Sequence, residues 1–180
     1  MEKNRLEAFS DGVLAIIITI MILELNLPGG DRLKDLFQLW PVLMAYVLSF
    51  FFIATYWVNH HLIFHDAESI NVKILWCNIV WLCVMSFIPF ATAWVGAHSR
   101  SWAPLSFYFA DMLFASITFH IMCFLIVREN GQKFRMTLRS VVSLATYFLA
   151  TVLGGFLPIA AFIAVTVVSA WWIIPLKKKE

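Results

Sequence analysis

Charge is scarce in this 180-residue chain. Only 13% of the residues are charged, whereas 62% are hydrophobic and the mean hydropathy is +0.84. A water-soluble domain is typically about 25% charged and about 45–50% apolar, so this composition excludes one. It predicts instead an all-α, multi-pass protein embedded in a lipid bilayer. The net charge is only +2, and nucleic acid is not an expected partner.

Several familiar motifs are also missing. The three cysteines, Cys77, Cys83 and Cys123, lie in apolar runs and resemble small hydrophobic residues more than a disulfide framework or a metal site. There is no Thr-Val-Gly-Tyr-Gly filter, so selectivity by stacked backbone carbonyls is not the expected device. A glycine-rich phosphate loop, a Ser/His/Asp order and the arginine series of a voltage sensor are absent too. We therefore expect neither enzyme chemistry nor a cofactor.

Long apolar runs, by contrast, fill the chain. A membrane-spanning helix needs about 20 mostly apolar residues, and six such spans are predicted at about 7–27, 37–64, 71–97, 103–127, 137–156 and 158–176. Turn residues separate them. The last two spans follow each other so closely that they form a helical hairpin or one re-entrant unit. We expect a single six-helix subunit over residues 1–180.

The basic residues are unevenly distributed between the predicted loops. If the amino terminus is cytoplasmic, ten fall on the cytoplasmic side: Lys3, Arg5, Lys73, Arg128, Lys133, Arg135, Arg139, Lys177, Lys178 and Lys179. Only Arg32, Lys34 and Arg100 fall outside. This positive-inside bias predicts that both termini are cytoplasmic.

The first predicted span carries an apolar stripe. At about 100° per residue, one line passes within about 40° of Phe9, Val13, Ile16, Ile20, Leu23 and Leu27. Asp11 lies about 140° from Ile16, so a stripe that faced a central axis would turn Asp11 into protein, as an anchor and not an ion ligand. Ile17, Ile18 and Ile22 are equally apolar, so hydrophobicity alone does not choose this face.

Two polar residues in this span each have two interpretations. Thr19 either bonds back to a carbonyl of its own helix or makes an interhelical hydrogen bond. Glu24, at the outer end, is either a solvated interfacial acid or a charge that concentrates cations at a pore mouth.

Three histidines end the second span. His61 and His65 have i,i+4 spacing and could share a metal or haem with His60, as in a membrane enzyme. No glutamate accompanies them in a zinc-protease pattern and no cysteine lies nearby. Hydrogen bonding to the first helix, near Asp11, is the other interpretation.

Two later spans also contain polar residues. Asn78 lies two turns inside the third span, and Pro89 predicts a kink there. Asp111 and His120 are unusual inside the fourth span and should face protein, not lipid. They form either a proton relay, as in a secondary ion or proton transporter, or a structural pair, unless Asp111 lies near the wet outer interface.

Three motifs in the first half of the chain resemble one channel family. They are Arg5-x-x-x-Phe9-Ser10-Asp11-Gly12 followed by Ala15-Ile16 and Thr19, then Tyr56-Trp57-x-Asn59-His60-His61-x-x-Phe64, and finally Asn78 with Pro89-Phe90. Together they are similar to the transmembrane protein 175 family, which comprises the lysosomal potassium channel and its prokaryotic homologues. The resemblance covers about residues 5–97, whereas the last three spans match in hydropathy and span count.

The resemblance implies a potassium-preferring cation channel whose first helix lines a central pore. Members with a single repeat are homotetramers, so four copies and a prokaryotic plasma membrane are implied. The hydrophobic constriction falls on Ile16, with further rings at Ile20 and Leu23, and Thr19 matches an interhelical hydroxyl near it. The cytoplasmic packing network implied by the resemblance comprises Arg5, Phe9, Ser10, Asp11, His60, His61 and Asn78.

Overall fold

A computed structural model describes residues 3–25 and 27–173, and in this part of the chain the secondary structure is entirely helical. The α-helices are α1 (Lys3–Leu23), α2 (Trp40–His65), α3 (Val72–Met85), α4 (Ile88–Ala97), α5 (Trp102–Glu129), α6 (Leu138–Leu153) and α7 (Pro158–Trp171). A 3-10 helix, Leu33–Leu39, precedes α2. The prediction of an all-α fold is confirmed.

Helix α1 packs through only one of its faces, although apolar residues occur on nearly all sides of the helix. Its buried residues repeat at helical spacing and pack against α2, α3 and α4; they are Leu6, Ser10, Leu14, Ile17 and Met21. The helix ends at Leu23, earlier than the predicted residue 27. A turn follows, in which the amide of Leu25 donates to the carbonyl of Ile22 (3.3 Å). Leu27, predicted to extend the stripe, therefore lies beyond the helix.

Two hydrogen-bonded contacts bring three chain segments to one face of the membrane fold. The Lys3 ammonium donates to the carbonyl oxygen of His65 (2.9 Å), which joins the start of α1 to the end of α2. The Asn130 amide, just past α5, donates to the carbonyl of Asp66 (2.9 Å) and accepts from the amide of Glu68 (3.2 Å). We call this side the amino-terminal face.

The basic residues follow this sidedness. The amino-terminal face carries Lys3, Arg5, Lys73, Arg128, Lys133, Arg135 and Arg139, and the opposite face carries Arg32, Lys34 and Arg100. Lys177, Lys178 and Lys179 lie outside the described residues. The excess of positive charge on one side, predicted from the spans, is thus present in the folded chain.

The third predicted span is two helices and not one. Helix α3 ends at Met85, Ser86 and Phe87 form a turn, and α4 begins at Ile88 with Pro89 in its first turn. Proline has no N–H to donate and clashes with the preceding helical turn, so the chain restarts a helix here instead of continuing the first one. Ser86 and Phe87 keep right-handed helical backbone, and the amide of Phe87 donates to the carbonyl of Val84 (3.0 Å). The predicted kink therefore takes the form of one hydrogen-bonded turn between α3 and α4.

Helices α6 and α7 form the predicted hairpin at the end of the described chain. The Tyr147 and Ser169 hydroxyls lie 3.2 Å apart, and the Trp172 indole donates to the Ser143 hydroxyl (2.9 Å). At the hairpin turn, a Cβ on Gly155 would collide with the indole of Trp102 at the start of α5. Glycine thus permits the hairpin to close against α5.

Helix α5 runs through the centre of the bundle and contacts α3, α4 and α6. Among the described residues, four helical segments are long and apolar enough to cross a bilayer when α3 and α4 are taken together, and α5, with 28 residues, is one of them. Aromatic side chains fill the space between α2, α3, α5 and α6. Trp81 and Phe119 pack with centroids 5.7 Å apart, and Phe52 contacts Tyr147 at 5.9 Å.

Candidate pore-lining surface and its support

The apolar stripe of α1 is uncovered in the isolated subunit. Phe9 is 56% exposed, Ile16 58% and Leu23 78%, whereas their neighbour Ile17 is 4% exposed. Ile20 is 41% exposed. A row of large apolar side chains on one helix face, left open by its own subunit, requires lipid, a second subunit or a pore to cover it.

A groove runs beside this stripe. It encloses about 460 Å³ and lies between α1 and the turn that joins α3 to α4. Its lining consists of Val13, Ile16, Ile17, Ile20, Glu24, Ser86, Pro89 and Phe90. Glu24 is exposed one residue beyond the end of α1, so the acidic side chain among these lining residues lies at the end of the groove farther from the amino-terminal face.

A second open face of α1 consists of small residues. Ala8, Gly12, Ala15 and Thr19 recur at spacings of four, three and four residues, and all four are exposed. A Cβ built on Gly12 meets nothing within 4 Å. The Thr19 hydroxyl donates to the carbonyls of Ala15 (2.9 Å) and Ile16 (3.0 Å) in its own helix. Within the subunit Thr19 is therefore back-bonded, the first of its two predicted interpretations.

Three buried polar side chains join α1, α3 and α2 in one chain of hydrogen bonds. The Ser10 hydroxyl donates to the carbonyl of Leu6 (2.9 Å) and accepts from the amide nitrogen of Asn78 (3.0 Å). The Asn78 amide oxygen lies 2.9 Å from Nε2 of His60. Because an amide oxygen only accepts, Nε2 carries the proton. The His60 ring also stacks on Trp81, with centroids 5.1 Å apart.

Asp11 is oriented toward α2. Its carboxylate accepts a hydrogen bond from the indole nitrogen of Trp57 (2.8 Å). This hydrogen bond lies on the side of α1 away from Ile16. This agrees with the orientation expected from the helical wheel. The residue is exposed in the isolated subunit, so its burial in an assembly stays a prediction. Asp11 lies about 100° around the helix from the buried Ser10, which accounts for its exposure within the subunit.

The remaining residues of the predicted packing network lie outside this hydrogen-bonded chain. Arg5, Phe9 and His61 are all exposed. His61 is 6.5 Å from His65 between ring centroids, whereas His60 turns inward to Asn78. The three histidines therefore do not converge, and among the described residues no group of three His, Cys, Asp or Glu side chains is arranged to hold a metal ion.

Asp111 and His120 do not face one another. They are nine residues apart on α5, which separates them by about 13.5 Å along the axis and about 180° around it. Nδ1 of His120 lies 2.7 Å from the carbonyl of Ser116, and its ring contacts Trp172 at 6.2 Å. Asp111 is 8% exposed. A direct proton relay or structural pair between the two side chains is thus excluded by the helix geometry.

The residues of two supporting contacts were not predicted to belong to the site. Trp57 belongs to the second quoted motif, and its position one turn from His61 and two from His65 was the available signal. Farther from the amino-terminal face, the Ser49 hydroxyl lies 2.7 Å from that of Thr92 and 2.9 Å from that of Tyr108. These hydroxyls tie α2 to α4 and α5. In the sequence, these hydrogen bonds were indicated only by single polar residues within apolar runs.

Comparison with known proteins identifies the family. The model of a family described as the endosomal/lysosomal potassium channel TMEM175 matches residues 5–89. A potassium channel of Chryseobacterium sp. (strain P1-3) is 36% identical over 186 aligned residues, which cover 100% of this chain and 97% of the relative. The chain belongs to the TMEM175 family. The crystal structure of a lysosomal potassium-selective channel TMEM175 homolog from Chamaesiphon minutus superposes with a TM-score of 0.78 at 27% identity, covering 96% of each chain.

TMEM175 relatives from animals match over a shorter region. The human protein, named an endosomal/lysosomal proton channel, is 30% identical over 112 residues, or 56% of this chain and 22% of the relative. Membership of this family makes the chain an integral membrane protein of an ion-channel class and not an enzyme.

Proposed function

We propose that the chain is the subunit of a homotetrameric, potassium-preferring cation channel whose pore is lined by α1. The observation that carries the proposal is the open stripe of Ile16, Ile20 and Leu23 in a chain whose full-length relative is named a potassium channel. The potassium selectivity of the structurally similar Chamaesiphon minutus protein, stated in its description, supports the same assignment.

A ring of subunits accounts for both open faces of α1. One subunit supplies only one apolar stripe, so closed rotational symmetry is needed to make constricting rings from it. The small-residue face, about 90° from the stripe on the side away from the buried core, permits a neighbouring helix to approach closely. Thr19 lies on this face, so its hydroxyl is placed for a further, intersubunit hydrogen bond.

The rings of Ile16, Ile20 and Leu23 then form a hydrophobic constriction. Such a constriction gates by excluding water, and an ion must lose or rearrange part of its hydration to pass. Potassium loses water more easily than sodium, which produces a modest preference without a carbonyl filter. The exposed carboxylate of Glu24 would concentrate cations at the outer mouth.

The hydrogen-bonded chain from His60 through Asn78 to Ser10 has a positioning role in this proposal. It joins the amino-terminal half of α1 to α2 and α3 through buried side chains, so the rotation of α1 about its own axis is restrained. The Asp11–Trp57 hydrogen bond adds a second restraint. Neither contact needs to touch an ion, and Arg5, Phe9 and His61 remain proposed neighbours of this support.

We also propose that the amino-terminal face is cytoplasmic and that the membrane is a prokaryotic plasma membrane. The excess of basic residues on that face supports the orientation. The bacterial sources of the long matches support the membrane assignment.

Ion flux from liposomes that contain only the purified protein tests the function. Vesicles loaded with potassium should lose it when a proton ionophore relieves the charge imbalance, and a potassium ionophore gives the total releasable content. Sodium-loaded vesicles should respond more slowly. Empty liposomes are the control, and equal release from them would refute the proposal.

Proton permeation is a second candidate function, because the animal relatives are named proton channels. A pH-sensitive dye trapped in the same vesicles separates the two. Proton influx that requires no potassium gradient and is faster than the potassium flux would favour proton conduction. Coupled transport of protons and potassium would instead revive the transporter alternative based on Asp111 or His120.

A further inference from the structure

The segment between α5 and α6 reverses direction and lies back against α5. Gly131 has a left-handed backbone (φ 68°), and the amide of Gln132 donates to the carbonyl of Val127 (3.0 Å), which closes the end of the helix. Phe134 then packs edge-on against Phe124, with ring centroids 5.8 Å apart. Since Phe124 is five residues before the end of α5, the segment reaches about 7.5 Å back along the helix.

This segment alternates basic and apolar side chains. Lys133 and Arg135 are both exposed, while Phe134 between them is partly buried and Met136 is 46% exposed. The two basic side chains are therefore open to a ligand, while Phe134 between them packs on α5.

Neighbouring aromatic residues place this segment at the level of the lipid headgroups. The guanidinium of Arg139, in the first turn of α6, lies 5.5 Å from the ring centroid of Trp171 and 5.2 Å from that of Trp172. Tryptophan pairs of this kind are enriched at membrane–water interfaces. Lys133 and Arg135 lie four to six residues before Arg139 on the same face of the protein.

The positive charges of this segment are not neutralised within the described subunit. Among residues 3–25 and 27–173, no carboxylate forms an ion pair with Lys133 or Arg135. The nearest acid along the chain, Glu129, accepts hydrogen bonds from Asn71 (2.6 Å) and Ser69 (3.3 Å). Its carboxylate is thus directed to the α2–α3 loop.

We infer that Lys133 and Arg135 bind the headgroups of anionic phospholipids, with Phe134 anchoring the segment between them to α5. Each basic residue near an anionic membrane surface contributes about 1 kcal/mol, so two residues correspond to about a 30-fold change in affinity. Zwitterionic lipid lacks the net charge that this surface complements. The inference concerns stability and lipid affinity, and it holds whichever cation passes the pore.

Lipid titration of the purified full-length protein in neutral detergent tests this inference. Palmitoyl-oleoyl phosphatidylglycerol should raise the midpoint temperature of unfolding more than the matching phosphatidylcholine does. The double variant Lys133→Gln/Arg135→Gln should need about 30-fold more phosphatidylglycerol for the same half-maximal rise. The exchange Lys133→Arg/Arg135→Lys, which keeps both charges, should behave like the unmodified protein.

The matched control removes two exposed basic residues from the opposite face, Arg32→Gln/Lys34→Gln, and should leave the phosphatidylglycerol response unchanged. An unchanged response in the Lys133/Arg135 variant, or an equal loss in the control, would overturn the inference. In the unmodified protein, brominated phosphatidylglycerol should also quench tryptophan fluorescence more than brominated phosphatidylcholine at low salt, and equal quenching would likewise count against it.

Discussion

Ile16 is the residue on which the proposed constriction depends most. Its side chain is 58% exposed in the subunit, and it belongs to both the stripe and the groove. Replacing it with asparagine should wet the constriction. We expect Ile16→Asn to raise potassium flux several-fold and to lower the preference over sodium, measured by paired flux assays in liposomes.

The matched control is Ile22→Asn, a second exposed isoleucine of α1 (48% exposed) that lies about 120° away around the helix. This variant should retain the flux and selectivity of the unmodified protein. If Ile22→Asn changed permeation and Ile16→Asn did not, the pore would lie on the other side of α1.

Asn78 is the central residue of the buried polar chain, since it bonds to both Ser10 and His60. In Asn78→Ala, the proton on Nε2 of His60 would lose its acceptor inside the protein. Leaving a buried polar group unpaired costs about 1–3 kcal/mol. We expect a lower midpoint of thermal unfolding, measured on the purified protein.

Asn59→Ala provides a comparison at a partly buried asparagine whose side chain bonds to the carbonyl of Thr55 in its own helix (2.7 Å). Its unfolding midpoint should change much less. Equal midpoints for the two variants would show that the Ser10–Asn78–His60 chain contributes no special stability.

At the residue scale, the sequence selected Ser10, Asn78 and His60, which hydrogen bonds join in the structure, but it did not predict which polar atoms pair. Three adjacent isoleucines, Ile16 to Ile18, have the same hydrophobicity, and only packing against α2, α3 and α4 buries Ile17 and leaves Ile16 open. His60 and His61 are adjacent in the sequence, and only the packing that buries Phe52 and Phe64 on the same helical face as His60 determines which ring turns inward.

At the scale of elements, the α6–α7 hairpin depends on close contact with α5. Gly155 leaves no room for a side chain beside Trp102. Gly155→Ala should force the hairpin turn or the indole to move, and overpacking of this kind costs about 1–3 kcal/mol. We expect a reduced unfolding midpoint and a lower yield of folded protein.

Gly29→Ala serves as the reference substitution, because a Cβ there meets nothing within 4 Å. Its unfolding midpoint should stay close to that of the unmodified protein. Should Gly155→Ala prove as stable as Gly29→Ala, the hairpin would not be fixed by this contact.

The elements themselves were largely predictable, because apolar runs of about 20 residues have few alternatives in a bilayer. The division of the third span into α3 and α4 was less predictable. Pro89 indicated a kink, but a proline is tolerated inside a membrane helix when neighbours satisfy the freed carbonyl. Ser86 and Phe87, which form the turn, are both exposed, and the apolar pattern of the span does not mark where α3 ends.

At the scale of the whole molecule, the proposed tetramer makes a prediction about α1 as a surface. In a background where Cys77, Cys83 and Cys123 are replaced by serine, cysteine at Ile16, Ile20 or Leu23 should react with water-soluble thiol reagents and alter flux. Cysteine at Ile22 should react slowly. The measurement is the modification rate in reconstituted vesicles.

Chemical cross-linking of the unmodified protein through its lysines should complete the test with a ladder that ends at four subunits. A ladder that ends at two would contradict the tetramer. Faster modification at Ile22 than at Ile16 would contradict the assigned pore face even if the ladder ended at four.

The brevity of α6 and α7 has a consequence for the surrounding membrane. With 16 and 14 residues, they span only about 24 Å and 21 Å, against a hydrocarbon thickness of about 30 Å. Hydrophobic mismatch of this size is relieved when the bilayer thins locally. The part of the subunit that carries the hairpin should therefore favour lipids with short acyl chains, and channels in thick bilayers should cluster so that their hairpins share one thinned region.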